Sequence, residues 1–189
     1  MNKIKISDPE KGLIEYDLAN SLRVKDFNRI LSSKNGGFRL VKVADIHRAT
    51  HLAAGYTYAN KSNLWSKANE GFVYVVAVDK KIVKIGMTEK SLNSRFSSYR
   101  AGTKIAREKG TCSVTNYYCS EFIREALIAS CDIEIFAYHV PTKYIKTNIL
   151  GVQKSLIAKQ AYAYEDALLE IYQQKKGEVP ALCKNTSLI

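Results

Sequence analysis

The sequence has little of several features that mark whole classes of protein. Its longest uninterrupted apolar run is Phe72–Val78, far short of the roughly 20 residues that a membrane-spanning helix needs. The first residues, Met1–Ser7, carry no apolar signal segment, so we expect a cytoplasmic protein without a membrane partner. No two of the four cysteines have Cys-x-x-Cys spacing, which disfavours a zinc ribbon or a redox dithiol and predicts free thiols.

Acidic residues are also scarce. There are 18 Asp and Glu residues against 29 Lys and Arg, for a formal net charge of +11. A chain this basic favours a polyanionic partner, nucleic acid first and an anionic membrane surface second. The sequence contains 12 tyrosines, and aromatic hydroxyls among cations suit nucleic-acid contact, although most tyrosines simply pack.

The 189 residues contain neither a Gly/Ser/Pro-rich linker nor an internal repeat, so one domain with an embellishment is expected. Near the N-terminus, the pattern predicts strands at Lys3–Ile6 and Leu13–Leu18 and a helix around Ser21–Leu31. The segment Val41–Ala54 has mixed helical periodicity. It therefore predicts a second, basic helix.

Two histidines, His47 and His51, stand four residues apart in that segment, a spacing that can bind a metal from one helical face. No third ligand is near in the sequence, and the Glu-bearing zinc motif is absent. We interpret the pair as part of a basic helix, with Lys42 and Arg48, that faces solvent or DNA.

The stretch 71–102 is the most informative, because an apolar β-rich run is followed by turn and capping signals. Its predicted elements are a buried strand Phe72–Val78, a turn at Asp79 and Lys80, a strand Lys81–Gly86, and a helix from Thr88 to Arg100 that stops at Gly102. Beyond it we predict a helix Ser120–Ser130, a strand Ile133–Val140, a basic loop with Lys143, Lys146 and Lys154, a helix over 155–175 and an extended tail from Val179.

Some polar residues stand where the periodicity predicts a core. In the helix Thr88–Arg100, Arg95 shares the stripe of Leu92, Phe96 and Tyr99. An unpaired arginine on an inner face is costly, so Arg95 either pairs with a carboxylate or lines a pocket.

Lys84 lies between apolar neighbours in the second strand of the hairpin. With Asp79 at the centre of the turn, Tyr74 would lie directly opposite Lys84, about 5 Å away between Cβ atoms. A cation this close would lower the pKa of the phenol. The alternative is that Lys84 points from an exposed face into solvent.

Glu165 falls within the apolar stripe of the predicted helix 155–175, whereas Glu170 shares a face with Asp166 and the glutamines. An inward carboxylate needs a cation, either a metal ion or an arginine such as Arg95. Cations for a phosphate, a carboxylate for a divalent metal and a phenol or amine to accept a proton together suit phosphodiester hydrolysis.

These residues resemble the GIY-YIG nuclease family. Phe72-Val-Tyr74, then Lys84-Ile-Gly86 ten residues on, then Arg95 on the next helix are similar to its two tripeptides and its arginine helix. Lysine stands where the second tripeptide usually has tyrosine, as in a branch that includes some type II restriction endonucleases and phage proteins. Ala163–Leu168 resembles the glutamate helix, and Pro180 and Asn185 resemble the closing residues.

The resemblance implies a mechanism and a fold. Glu165 would bind one Mg²⁺ or Mn²⁺ ion per active site, Tyr74 activated by Lys84 would be the general base for water, and Arg95 and Tyr99 would contact the phosphate. The expected fold is α+β, a small central antiparallel sheet flanked by helices with N-terminal and internal basic embellishments. Double-stranded DNA would be the substrate, and a palindromic site would need a homodimer.

The resemblance covers roughly residues 71–102 and 160–186. Accordingly we divide the chain into an extension at 1–70 for DNA recognition or dimerisation and a nuclease core at 71–189, with a basic insertion at about 103–158. The favoured function is a sequence-specific, restriction-type endonuclease. A phage or homing nuclease of the same family and a non-catalytic nucleic-acid-binding protein with a degenerate core are the alternatives.

Overall fold

The computed structural model describes residues 3–8, 11–49 and 55–183. Its elements, in chain order, are β1 Lys3–Asp8, β2 Gly12–Asp17, α1 Val24–Lys34, β3 Val41–Arg48, β4 Tyr56–Ala59, β5 Phe72–Val78, β6 Lys81–Thr88, α2 Leu92–Arg100, α3 Lys104–Glu108, α4 Val114–Ile128, β7 Ile133–His139, β8 Lys143–Ile149, β9 Val152–Ala158, α5 Ala161–Lys176 and a 3-10 turn Ala181–Cys183.

The centre of the molecule is a five-stranded sheet in the order β4-β3-β7-β5-β6, in which all neighbouring strands are antiparallel. Every residue of β5 is buried, because helices cover both of its faces, and this explains its unbroken apolar sequence. One face packs on α2 and α4, and the other packs on α1 and α5. The predicted α+β class, with a central antiparallel sheet flanked by helices, is confirmed.

The N-terminal predictions hold except for one element. The hairpin of β1 and β2 and helix α1 lie where the sequence predicts them, with Phe27 and Leu31 on the buried face of α1. The predicted helix Val41–Ala54 is wrong, because Val41–Arg48 is strand β3. Four consecutive residues at the centre of β3 are buried, since both faces of the sheet are covered there, and such a run has no period of two.

The same strand affects the proposed metal and domain assignments. His47 is an exposed residue of strand β3, so it does not lie on the predicted helix. His51 lies outside the described residues. The boundary at residue 70 stays a prediction, although β3 and β4, which precede it, belong to the same sheet as β5 and β6.

The basic loop predicted after residue 142 is instead a two-stranded hairpin, β8–β9. Its last residues, Ser155–Ala158, pair with Lys143–Lys146, so the following helix begins at Ala161 and not at residue 155. Leu150 and Gly151 form its turn, both with positive φ. In the part of the chain that the structure describes, no helix is long and apolar enough to cross a membrane, and all four cysteines are free.

Candidate active site

The register of the β5–β6 hairpin places the first two candidate residues. Asp79 and Lys80 form a two-residue turn, each with positive φ, as hairpin turns of this length prefer. Beyond an irregularity at Val76 and Ala77, Tyr74 pairs with Gly86 and Val76 pairs with Lys84. The expectation that Tyr74 lies directly opposite Lys84 is therefore wrong.

The irregularity nevertheless brings Lys84 and Tyr74 to one face. With a two-residue turn and a regular ladder, Lys84 would oppose Val75, whose side chain points to the other face of the sheet. The additional residue in β6 moves Lys84 opposite Val76, so that it becomes a diagonal neighbour of Tyr74 on the same face. The β-bulge thus turns the Lys84 side chain toward the face of the sheet that carries Tyr74.

Gly86 is required because the Tyr74 side chain lies against it, and not because its backbone adopts a conformation that only glycine tolerates. A Cβ atom at this position would lie 2.5 Å from Cζ of Tyr74 and closer still to its hydroxyl. No side-chain atom fits in that space. The glycine of Lys84-Ile-Gly86 therefore exists so that the phenol of Tyr74 can lie flat across the neighbouring strand.

Helix α2 carries the arginine. The Ser91 side chain caps its N-terminus by accepting a hydrogen bond from the Ser94 amide, while Thr88, where the helix was predicted to begin, is the last residue of β6. The indole of Trp65 donates to the Asn93 side chain at 3.0 Å. These bonds fix the rotation of α2, so that Leu92, Phe96 and Tyr99 are buried and Arg95 projects beside them.

Arg95, Tyr74 and Tyr99 form a closed hydrogen-bonded cluster. The Arg95 guanidinium donates from Nε to the Tyr74 hydroxyl and from a terminal nitrogen to the Tyr99 hydroxyl, each at 3.0 Å. The two hydroxyl oxygens are 2.6 Å apart, and the guanidinium carbon lies 4.5 Å from the centre of the Tyr99 ring. Phenols thus satisfy two guanidinium donors, and the others are left for an anion.

Lys84 is buried, with 3% of its surface exposed, so the solvent-facing alternative does not hold. Its ammonium group donates to the Leu182 carbonyl at 3.3 Å. Burial acts to lower the pKa of Lys84, but Cys183, Cys119, Tyr74 and Glu165 together raise it above its ordinary value. Lys84 is therefore a cation at neutral pH, next to the phenol of Tyr74.

Glu165 approaches the same cluster from α5. Burial raises the pKa of this half-buried carboxyl group, and the positive charges of Lys84 and Arg95 oppose that rise. Glu170, on the same helix, is exposed. The N-terminus of α5 is held by Glu89, whose carboxylate accepts a hydrogen bond from the Ala161 amide at 3.1 Å.

The electrostatics of Tyr74 differ from the expectation. Its side chain is fully buried, and this burial raises the pKa of the phenol; Arg95 and then Lys84 lower it by less. The pKa of Tyr74 thus lies above its ordinary value: Lys84 lowers it, as predicted, but burial outweighs that effect. Burial also raises the pKa of Tyr99 well above its ordinary value.

The sequence did not predict the residues that contact Lys84 and hold strand β6 in place around it. The Cys183 thiol lies against β6, where it accepts a hydrogen bond from the Ile85 amide at 3.4 Å. The Leu182 contact uses a backbone carbonyl, which no sequence pattern could have indicated. The predicted closing residue Asn185 lies outside the described residues, whereas Pro180 directly precedes the 3-10 turn that carries this contact.

The donor set can be tested against a divalent metal. No group of three or more His, Cys, Asp or Glu side chains within residues 3–8, 11–49 and 55–183 is placed to hold a metal ion. Glu165 is a single half-buried carboxylate beside two cations. This fits Mg²⁺, which keeps several waters and is bound in many enzymes by one or two carboxylates together with substrate phosphates.

No model of a known protein family matches the chain, and no curated protein matches it either. Solved structures do. The restriction endonuclease HPY188I in complex with product DNA is similar with a TM-score of 0.54 and 23% identity, over 88% of this chain and 88% of that chain. A mutant of bacteriophage T4 EndoII is similar with a TM-score of 0.54 and 14% identity, over 80% of this chain and 95% of that chain. At these identities the similarity establishes that the chain shares their fold.

Proposed function

We propose that this protein is a divalent-metal-dependent DNA endonuclease of the GIY-YIG type, from the branch with lysine in the second tripeptide. The observation that carries the proposal is the Arg95 guanidinium bonded to the hydroxyls of both Tyr74 and Tyr99, with Lys84 and Glu165 acting on the same cluster. The fold shared with a restriction endonuclease and a phage endonuclease supports it.

The two cations would bind the scissile phosphate. Arg95 has N–H groups beyond the two that its phenol partners use, and Lys84 places an ammonium group on the same face. Fixed cations in a site of low dielectric stabilise the additional negative charge of the pentacovalent transition state more than they stabilise the substrate. Tyr99, whose hydroxyl lies 2.6 Å from that of Tyr74 and accepts a hydrogen bond from Arg95, would contact the phosphate together with Arg95.

Tyr74 would accept the proton from the attacking water. Because its pKa is raised by burial, the phenol is neutral at pH 7 and only a small fraction is available as a base. Arg95 and Lys84 stabilise that phenolate once the proton has left. Glu165 would hold Mg²⁺ or Mn²⁺, which when bound supplies Lewis-acid stabilisation of the phosphate charge.

The biological setting belongs to the same proposal. A restriction-type enzyme that cuts a palindromic site acts as a homodimer, with one active site for each strand. Residues 1–70 and the basic segment at about 103–158 would then supply DNA recognition and dimer contacts. A phage or homing role for the same chemistry is the alternative within the family.

A second candidate, a nucleic-acid-binding protein without catalysis, is favoured by one observation. The raised pKa of Tyr74 is the opposite of what an efficient general base at neutral pH would have. On this alternative, Lys84 in place of tyrosine marks the position where activity was lost and the cations serve only to hold DNA.

The experiment is cleavage of a long, sequence-diverse DNA in Mg²⁺ by the wild type, Glu165→Gln and the control Glu170→Gln. We expect discrete fragments from the wild type and from the control, whose carboxylate is exposed on the same helix, and none from Glu165→Gln. Tight, salt-sensitive binding with no cleavage by any of the three in Mg²⁺ or Mn²⁺ would establish the binding protein. Cleavage by Glu165→Gln at the wild-type rate would remove Glu165 from the metal site.

A further inference from the structure

The hairpin Lys143–Ala158, which we name the arm, stands apart from the rest of the fold. Its strands β8 and β9 pair with each other and form a separate two-stranded sheet. Apart from Thr147 and Ala158, which are half-buried, every residue of the arm is exposed. An isolated two-stranded hairpin is only marginally stable in water, so a contact with another molecule is the natural reason for it.

The arm presents aliphatic side chains that no other described part of the protein covers. The register places the pairs Ile145–Leu156 and Ile149–Val152 on one side of the ribbon, together with the pairs Thr147–Lys154 and Lys143–Ala158. The four side chains of the first two pairs are 44–55% exposed. The opposite side carries the pairs Tyr144–Ile157, Lys146–Ser155 and Asn148–Gln153, so each side combines apolar residues with at least one lysine.

The tip of the arm is more unusual than its sides. Leu150 is 99% exposed and has a φ of 52°, followed by Gly151 with a φ of 82°. The first position of such a turn favours asparagine, aspartate or glycine, because a side chain with a Cβ is strained at positive φ. Leucine here is unfavourable both for the backbone and for solvation, and at 99% exposure its side chain gains no compensating contact from the described residues.

Charge indicates which partner the arm takes. The arm carries Lys143, Lys146 and Lys154, and residues 141–164 contain no acidic side chain. A second copy of the chain would bring the same charges against the same surface, since a two-fold contact is self-complementary. A DNA backbone offers phosphates to all three lysines.

From these observations we propose that the arm binds in the minor groove of DNA and that Leu150 is a wedge between two base pairs. The lysines bind phosphates on either side, the aliphatic side chains lie against sugars, and the leucine partly unstacks one base step. Minor-groove proteins use apolar wedges at the tips of ribbons and loops in this way. That the partner of the arm is DNA rests on the proposed function.

The first test measures unwinding, because a wedge lowers the twist of the DNA that it enters. Plasmid is relaxed by a metal-independent topoisomerase I in EDTA, with wild type, Leu150→Asn or the control Tyr162→Asn. Asparagine suits the turn. Tyr162 is a 70% exposed residue in the first turn of α5, outside residues 1–70 and 103–158. We expect a shift in linking number with wild type and control, and loss of at least half of that shift with Leu150→Asn.

The second test measures the salt dependence of DNA binding, which reports how many phosphates the lysines contact. Lys146→Gln combined with Lys154→Gln should reduce the slope of log K against log salt by about 2, at roughly 0.9 for each phosphate contact. An unchanged slope would overturn the assignment of these lysines to phosphates. Unwinding that is equal for wild type and Leu150→Asn would overturn the wedge, and cleavage by the wild type in Mg²⁺ would then show that the proposed nuclease function still stands.

Two further outcomes distinguish DNA binding by the arm from a contact between copies of the protein and from failure of the proposed function. If Leu150→Asn lowers the sedimentation mass of the protein without DNA, the arm is a contact between copies and the proposal is overturned. If the wild type neither binds nor cleaves DNA, the proposed function fails and the arm proposal fails with it. Equal thermal unfolding of Leu150→Asn, Tyr162→Asn and the wild type is the control for folding.

Discussion

The cluster around Tyr74 and the arm Lys143–Ala158 are built on opposite principles. In the cluster, Tyr74 and Tyr99 are fully buried and their hydroxyls bond to each other and to Arg95. In the arm, the backbone is paired but almost every side chain is exposed. The cluster is thus fixed by the rest of the fold, whereas the arm is fixed only by its own ladder, and we expect chemistry and DNA engagement to be separable by mutation.

The most damaging change to the cluster should be Gly86→Ala. The new Cβ would occupy the space of the Tyr74 phenol, so the hydroxyl must leave its bonds to Arg95 and Tyr99. Displacement of a catalytic group by about 1 Å is expected to reduce the single-turnover cleavage rate about 100-fold. Gly37→Ala is the matched control, because a Cβ there meets no atom within 4 Å. Equal rates for both variants would contradict the role given to Tyr74.

The pH dependence of cleavage tests the protonation of Tyr74. Burial raises its pKa above 10.0, so the phenolate fraction grows as the pH rises toward that value. The single-turnover rate should therefore increase about tenfold per pH unit between about pH 6 and pH 9, at constant ionic strength. Tyr74→Phe should remove most of the activity together with this slope. A wild-type plateau beginning below pH 7 would mean that another group accepts the proton.

A smaller effect is expected from Glu89, which supports the cluster from a distance. Its carboxylate caps α5 at the Ala161 amide, and Glu165 follows one turn later. Glu89→Ala should lower the free energy of unfolding by about 1 kcal/mol, as for other lost helix caps, whereas Glu89→Gln keeps an acceptor oxygen and should cost less. Guanidinium unfolding measures both variants. No loss in Glu89→Ala would show that the cap contributes nothing.

The smallest effect on stability is expected from removing the arm. Replacing residues 143–158 by a short Gly/Ser linker deletes exposed side chains and a sheet that pairs with no other strand. The free energy of unfolding should change by less than about 1 kcal/mol, because little apolar surface is re-exposed. DNA affinity should fall in the same variant. A loss of several kcal/mol would show that the arm belongs to the folded core.

Local signals were sufficient for the elements near the cluster. The apolar run Phe72–Val78 predicted a buried strand, and the stripe of Leu92, Phe96 and Tyr99 predicted the inner face of α2. Both rest on burial patterns that side-chain chemistry alone determines. The same chemistry placed Arg95 on the inner side of its helix, where its partners are phenols; a carboxylate partner was one of the two alternatives that the sequence left open.

Local signals failed where two structures satisfy one pattern. The four central residues of β3 are buried, and a run of this kind does not distinguish strand from helix. The segment 155–158 continues smoothly into the pattern of α5, yet it pairs with β8. In each case pairing with a neighbouring strand determined that the segment is a strand and not a helix. Local periodicity does not reveal a pairing partner elsewhere in the chain.

The sequence by itself determined which residue types meet: an arginine, a lysine, two tyrosines and a glutamate on elements with buried faces, in a chain of net charge +11. Only the tertiary structure decided how they meet. The bulge in β6 aims Lys84 at the face of Tyr74, and burial, which depends on every packed element at once, makes the pKa of that phenol rise rather than fall. Register and desolvation are properties of the assembled fold, so no local pattern encodes them.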